Sequence, residues 1–413
     1  MKHTIYKALK WSEKYTKTDM LYIANGIFWW GFGKTGAFFI SFITIIAFAN
    51  WLPKESYGTY QFITATLSLF VIFCLPGINT TTIKSIAQKK EGTLDLALKE
   101  KIKWGGIGSL FSIGLAIWYF LTGNNLLAIA FFLGSFFIPF WPTFGIFNFF
   151  WNGRKRFDIQ AKYNIISGVL SAIMLILAIY LTNNVITILF VFLGSQTISN
   201  WFFYSKTKKQ VINQDKDYKA ISFGKSLTLM SAIEKIANHI DKIIIWNFLG
   251  AAPLAVYSVA YLPVQKILLS LPIMPLSLPK LGEKRLNKER KKSVISKFLY
   301  LFIISIPTTI ILIFISPFIY KLVFPQYIDS VIYFQALSLL IALSPIILLN
   351  AILISNAEQK AIYITQIIPS VLKIILFFIF LFYFGTWGII ISILITEVIK
   401  GLLIFYYFVK IKI

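Results

Sequence analysis

A single cysteine, Cys74, excludes an internal disulfide framework. Two histidines, His3 and His239, are too few for a histidine-based metal site, so neither a metal nor another cofactor is expected. Charge is scarce as well: Asp, Glu, Lys and Arg make up 14% of the chain, against about 25% in soluble domains. Acidic groups are the scarcest part of that, 16 against 40 Lys and Arg, which leaves a formal net charge of +24. What is abundant is apolar: 57% of residues are hydrophobic and the mean hydropathy is +0.75. A soluble protein of 413 residues needs more polar surface than this to cover its core. The composition predicts a polytopic all-α membrane protein.

Windows of sufficient apolar length predict twelve spans, at 21–49, 60–77, 105–122, 126–150, 163–182, 185–204, 226–248, 255–279, 298–320, 331–354, 362–384 and 387–409. The basic residues alternate between the connections. Residues 1–20, 78–104, 151–162, 205–225 and 280–297, with Lys360, Lys410 and Lys412, carry 32 of the 40 Lys and Arg. The opposite side carries only Lys54 and Lys321, and the other six lie inside predicted spans. This asymmetry predicts cytoplasmic termini. It also places the positive charge beside anionic lipid, so no nucleic-acid partner is needed to explain it. Residues 1–20 are too polar for a cleavable signal and read as an interfacial helix or a frayed tail.

The outward connections are tight turns: "TGNN" (122–125), "TNN" (182–184) and "FGTW" (384–387). A membrane enzyme polymerising or ligating glycans needs acid–base groups on that side, where only Glu55 and Asp329 stand. No enzymatic activity is expected. "GFGKTG" (31–36) has Phe28 where a phosphate-binding loop needs glycine, which removes a nucleotide site. Pro139, Pro142, Pro272, Pro275 and Pro279 predict kinks in spans four and eight.

The halves repeat. "LPKESYGTY" (52–60) aligns without gaps on "LGAAPLAVY" (249–257), pairing Tyr60 with Tyr257 and Gly58 with Ala255 at an offset of 197 residues. Six spans separate the copies, which predicts two six-helix lobes related by an axis along the membrane normal, 1–210 and 211–413.

These residues resemble a known family. "GKTGAFFISFITIIAFANWLPKESYGTYQFITATLSLFVIFCLPGINTTTIKSIAQ" is similar to the start of Wzx-type O-antigen and polysaccharide flippases, members of the multidrug/oligosaccharidyl-lipid/polysaccharide exporter superfamily. Leu52, Glu55, Gly58 and Tyr60 carry that resemblance, with "NGRKRF" (152–157), "HIDKIIIWNFLGAAPLAVYSVAY" (239–261) and "FPQYIDSVIYFQ" (324–335). Ala255 and Leu254 depart from the pattern. The resemblance implies the two-lobed fold shared with multidrug exporters, a bacterial inner-membrane location and alternating access. It implies a cargo of undecaprenyl-pyrophosphate-linked oligosaccharide, a unit of O-antigen, lipopolysaccharide or capsule synthesis. The polysaccharide polymerase and chain-length machinery would then be neighbours, with the flippase itself a monomer.

The stretch "SAIEKIANHIDKIII" (231–245) puts charges inside the seventh span, at about 2.5–3.5 kcal/mol each near a helix centre. On a continuous helix Glu234, Asn238 and Asp241 form one stripe, and Lys235, His239 and Lys242 a second. With Lys34, Lys266, Lys373, Glu397 and Lys400 the intramembrane tally is six lysines against three carboxylates. The excess suits a pyrophosphate. Two alternatives stay open for these residues: snorkelling lysines, and a local Glu397–Lys400 pair. Glu234 and Asp241 are candidates either to couple transport to protons or sodium or to neutralise Lys235 and Lys242. A multidrug or cation antiporter of the same superfamily is the rival reading, which six lysines disfavour.

Overall fold

The computed structural model describes residues 20–271, 288–355 and 359–411. Among them are sixteen α-helices and three short 3-10 turns, with no strand. The helices are α1 Met20–Trp51, α2 Lys54–Phe70, α3 Gly77–Ala87, α4 Thr93–Leu121, α5 Asn125–Phe137, α6 Phe147–Gly153, α7 Phe157–Leu181 and α8 Val185–Lys208. The second half holds α9 Tyr218–Ala237, α10 Ile240–Leu249, α11 Ala251–Ser270, α12 Lys288–Val323, α13 Ser330–Leu343, α14 Ile346–Ser355, α15 Gln359–Phe384 and α16 Thr386–Lys410. Among the described residues nine helices are long and apolar enough to cross a membrane, or ten if α13 and α14, bent by 47°, form one crossing.

Several expected spans are broken rather than continuous. Span two runs as α2, a 3-10 turn over Val71–Cys74, a left-handed residue at Leu75 (φ 53°) and then α3. Pro76 follows the turn, and its missing N–H and fixed φ suit a helix restart there. Span four, expected over 126–150, is interrupted between α5 and α6, where Pro139 and Pro142 fall. Pro272, Pro275 and Pro279 lie outside the described residues, as does the N-terminal segment through Asp19. The helices also reach further than hydropathy alone predicts. The connection 78–104 is largely helical, built of α3 and the first three turns of α4. The tight turns are capped as their sequences suggest: Asn124 accepts the Leu127 N–H at 3.1 Å and Asn184 the Ile186 N–H at 2.8 Å.

The two repeat copies pack on each other. Ala251 opens α11, 197 residues after Lys54 opens α2 (251 − 54), the offset at which the sequences align. At the α2–α11 crossing a Cβ on Gly58 would stand 1.8 Å from the Ala251 carbonyl oxygen. Only glycine permits this approach. Around it Tyr57, Tyr257, Tyr320 and Tyr327 are buried. The Tyr320 hydroxyl donates to the Val259 carbonyl at 3.0 Å, and Asn50 bridges the halves by donating to the Val323 carbonyl at 2.8 Å.

The core divides by level. One cluster at the turn-bearing end joins both halves, from Tyr57 and Phe131 to Tyr257, Phe334 and Ile389. Towards the basic end it splits in two. One part holds Leu75, Phe147, Phe150, Phe203 and Ile221, and the other holds Val294, Leu349, Ile404 and Phe408. Ile221 belongs to α9, so the start of the second half packs with the first.

Candidate functional site

The break in span seven shapes the site. A continuous helix through 231–245 was expected, and the structure corrects it. α9 ends at Ala237, Asn238 and His239 form a turn, and α10 restarts at Ile240. Apolar propensity falls here because polar groups fill a whole turn, and Asn favours non-helical backbone. The expected stripe of Glu234, Asn238 and Asp241 is therefore dispersed. Asn238 is exposed at the turn, while Asp241 is buried (2% exposed) in the first turn of α10. The positive end of that helix favours a carboxylate there.

Six predicted lysines fall into two main groups. A cavity of about 380 Å³ lies between α1, α2, α7, α8 and α11. Its polar wall includes Thr44, Gln61, Thr64, Asn164 and Gln196, and among the described residues Lys266 is its only charged side chain. Lys242 stands behind that wall and donates to Gln61 Oε1 at 3.2 Å. The Lys34 charge acts on Lys266, and the Lys266 charge acts on Lys242. Tyr60 and Tyr57 close the same cavity.

The second group lies in the second half. Lys373, 8% exposed, reaches Asn238 Oδ1 at 3.5 Å and lies 5.6 Å from the Phe377 ring centre. The charges of Asp241, Glu397, Lys400 and Glu234 act on it. Asp241 accepts the Tyr257 hydroxyl on Oδ2 at 2.6 Å, while its Oδ1 has no hydrogen-bond partner among the described residues. His239 lies within reach of the Lys242, Asp241 and Lys373 charges. Glu397 and Lys400 pair loosely at 3.9 Å on one face of α16. Lys235 lies apart from both groups, on α9, where the Glu234 charge acts on it. Among the described residues no cluster of three or more His, Cys, Asp or Glu offers a metal site.

Two features escaped the sequence. The first is Lys101, counted there with the basic loop. It is 2% exposed and donates to Asn79 Oδ1 at 2.6 Å. Its signal was spacing: Leu94, Ala97, Lys101, Gly105, Gly108 and Ser112 recur at three- and four-residue steps, and all are buried. The second is a latch beyond the spans. Arg154 grips Glu91 through Nε and Nη2 at 2.8 and 2.6 Å, and the Ile212 N–H joins at 2.7 Å. Burial pushes the Glu91 carboxyl up, but the Arg154 hydrogen bonds, the Ile212 N–H and the Arg154 charge together hold it below the usual value. Lys90 pairs with Asp217 at 3.0 Å, and Asp217 caps α9 through the Ala220 N–H. The connection between the halves is thereby tied to the first half.

A family model described as "Polysaccharide biosynthesis protein" matches residues 23–278. No curated protein matches the chain in sequence. Among solved structures, "Lipid II flippase MurJ, inward closed conformation" is similar over 93% of this chain and 87% of its own, with a TM-score of 0.68 and 15% identity. A MATE structure solved in complex with MaD5 gives 0.66 at 13% identity over 94% of each chain. An outward-facing multidrug resistance MATE family transporter of the MOP superfamily gives 0.63 at 14% identity, over 93% of this chain and 94% of that one. At such identities the likeness is one of fold.

Proposed function

The chain belongs to the polysaccharide biosynthesis protein family, and on that premise we propose a flippase for undecaprenyl-pyrophosphate-linked oligosaccharide. It is a multi-pass membrane protein, and the bacterial inner membrane fits its family. The cargo would pass from the cytoplasmic to the outer leaflet by alternating access, with the protein breaking no bond. One observation carries the proposal. Lys266 lines a cavity between the halves, Lys242 donates to Gln61 of its wall, the Lys34 charge acts on Lys266, and that wall holds no carboxylate among the described residues. An anion entering a space of low dielectric needs fixed cations, and a diphosphate offers two or more charges to three of them.

On this reading α2 with α3, α5 with α6, α9 with α10, and α13 with α14 are broken crossings. With the eight remaining helices they make twelve. Two lobes of six, 1–210 and 211–413, then carry both termini on the cytoplasmic side. The core joined at the outward end and divided at the basic end supports loading from the cytoplasmic leaflet. The polyprenyl chain stays in lipid between the lobes. Moving one negative charge outward gains about 2.3 kcal/mol per 100 mV, so the membrane potential assists without any coupled ion. We read Asp241 as the counter-charge of Lys242 and Lys373, held by Tyr257, rather than as a sodium ligand. The flippase works as a monomer, with polymerase and chain-length proteins as neighbours and anionic lipid around its basic end.

Deleting the gene tests this. The expected result is accumulation of lipid-linked repeat units on the cytoplasmic side and loss of surface polysaccharide. Lys34→Ala, Lys242→Ala or Lys266→Ala should each cut export roughly tenfold or more, from about 1.5–3 kcal/mol per lost charged hydrogen bond. Unchanged polysaccharide with altered drug sensitivity would instead identify a multidrug exporter.

A further inference from the structure

Lys101 stands outside the cationic cavity and plays no part in the reading above. Its side-chain nitrogen is shut from water, with one neutral acceptor among the described residues, Asn79 Oδ1. Basic groups elsewhere at the same end have carboxylates: Arg154 has Glu91, Lys90 has Asp217, Lys208 has Asp95 and Lys225 has Glu100. Lys101 forms no ion pair among the described residues. The titratable groups that act on it are the Cys74 thiol, from the 3-10 turn before α3, and the Lys235 ammonium, from α9. Asn79 of α3 is neutral. Among the described residues, no ionisable group of α2, α5, the turn Phe144–Ile146 or the rest of α4 acts on it.

A buried cation with one neutral partner costs several kcal/mol, and a like charge nearby adds to that. Two changes relieve it: loss of the proton, or movement that admits water and carries Lys235 away. The second has an identifiable place. α3 and α9 meet at backbone contact directly beside Asn79. The Gly77 N–H donates to Thr228 Oγ1 at 2.9 Å. A Cβ on Gly77 would stand 2.3 Å from the Gly224 carbonyl oxygen, and one on Gly224 2.8 Å from the Ile78 Cα. This seam joins the two halves at the basic end. Lys101 lies on one side of it and Lys235 on the other.

We propose that Lys101 is a proton-binding site that controls the α3–α9 seam: uncharged, it lets the seam close, and charged, it parts it. The ligand is a proton from the basic-end solution, taken up by the amine lone pair to give the ammonium. The charge on Lys101 then repels Lys235 and draws water to Asn79, and α9 moves off α3. The same lysine charges again each time the seam opens, so the seam's position and the proton's occupancy are linked. This concerns the seam alone and does not depend on the cargo.

Spin labels at Thr80 and Leu229, both exposed and on opposite sides of the seam, report its width in the full chain with Cys74→Ala, reconstituted in nanodiscs. Double electron–electron resonance should show the mean distance lengthening as pH falls. Lys101→Met, an apolar side chain of similar length, should hold the short distance at every pH. Lys101→Arg, charged throughout, should hold the long one. Lys101→Met with the parent's pH response, or a parent with no response, would overturn the proposal. A failure of the flippase reading leaves these distances unaffected, and a failure here leaves that reading standing.

Discussion

Gly58→Ala is the smallest change that should reopen the turn-bearing end. The added Cβ would meet the Ala251 oxygen at 1.8 Å, its carbon at 2.5 Å and its Cα at 3.0 Å, all backbone atoms that cannot rotate away. Ordinary contact begins at 3.4 Å, so α2 and α11 must part by about 1.6 Å where they cross. That displacement stretches the Asn50–Val323 bond from 2.8 Å beyond hydrogen-bonding range and loosens the Tyr57–Tyr327 edge contact. Overpacking costs about 1–3 kcal/mol and the lost bond about 1 kcal/mol. The sum of about 2–4 kcal/mol shifts the closed-to-open ratio by roughly 30- to 1,000-fold. Because α2 and α11 belong to different halves, separation releases the strain without unfolding either. Ser258 lies seven residues after Ala251, on the same face of α11, and is fully buried. In a Cys74→Ala, Ser258→Cys chain, maleimide labelling should rise sharply with Gly58→Ala. Gly388→Ala is the control: its Cβ would clash at 2.1 Å with the Phe380 oxygen inside the α15–α16 hairpin, within one half. It should lower the melting temperature and leave labelling unchanged. Equal labelling in both variants, or none in either, would refute the seal.

Asp241→Asn keeps a hydrogen-bond acceptor for Tyr257 but strips Lys242 and Lys373 of their counter-charge, and should cost about 3–5 kcal/mol in thermal unfolding. Lys373→Met in the same chain should restore most of that loss, whereas a sodium-binding Asp241 predicts no rescue and a sodium-dependent melting temperature. The Glu91 carboxyl titrates below its ordinary value, so its contribution is present above about pH 4.5 and is lost as pH falls through the lower folded value. Glu91→Gln should lose about 2 kcal/mol at neutral pH and show no further loss in that acid window, read by melts across pH.

What the sequence made legible was periodic or paired. Hydropathy gave the all-helical membrane fold, and the starts of α2 and α11 stand at the 197-residue offset of the repeat. The action of the Lys34 charge on Lys266 was legible only as a shared sign of charge, since residues 232 positions apart carry no mark of proximity. The breaks were less visible for a physical reason. Leu75 takes a left-handed backbone without being glycine, and only Pro76 after it hints at the turn. At Asn238 the polar residues read equally well as a helical stripe, because spacing cannot tell a stripe from an interruption. Lys101 was assigned by its charge when its spacing placed it among Ala97, Gly105 and Gly108. In a membrane protein a lysine on the apolar face of a helix is the stronger statement of the two.

The broken seventh span also explains why one chain can be tight at one end and divided at the other. Glu91, Arg154 and Lys90 fasten the connection and the start of α9 to the first half, and Ile221 packs in that half's cluster. α10, beyond the turn, holds Asp241 against Tyr257 of α11. A straight helix tied at both ends would lock the halves together. A turn at Asn238 and His239 lets α9 tilt against α3 about its fastened start while α10 stays with the second half, and Lys373 reaches Asn238 at that turn. In the proposed flippase, cargo charge drawn towards Lys242 and Lys266 would act on α10 and α11, just past the turn. On the proposed mechanism the polar residues of the turn stand where a rocking motion would bend the backbone, and where an anionic cargo would bias that bend.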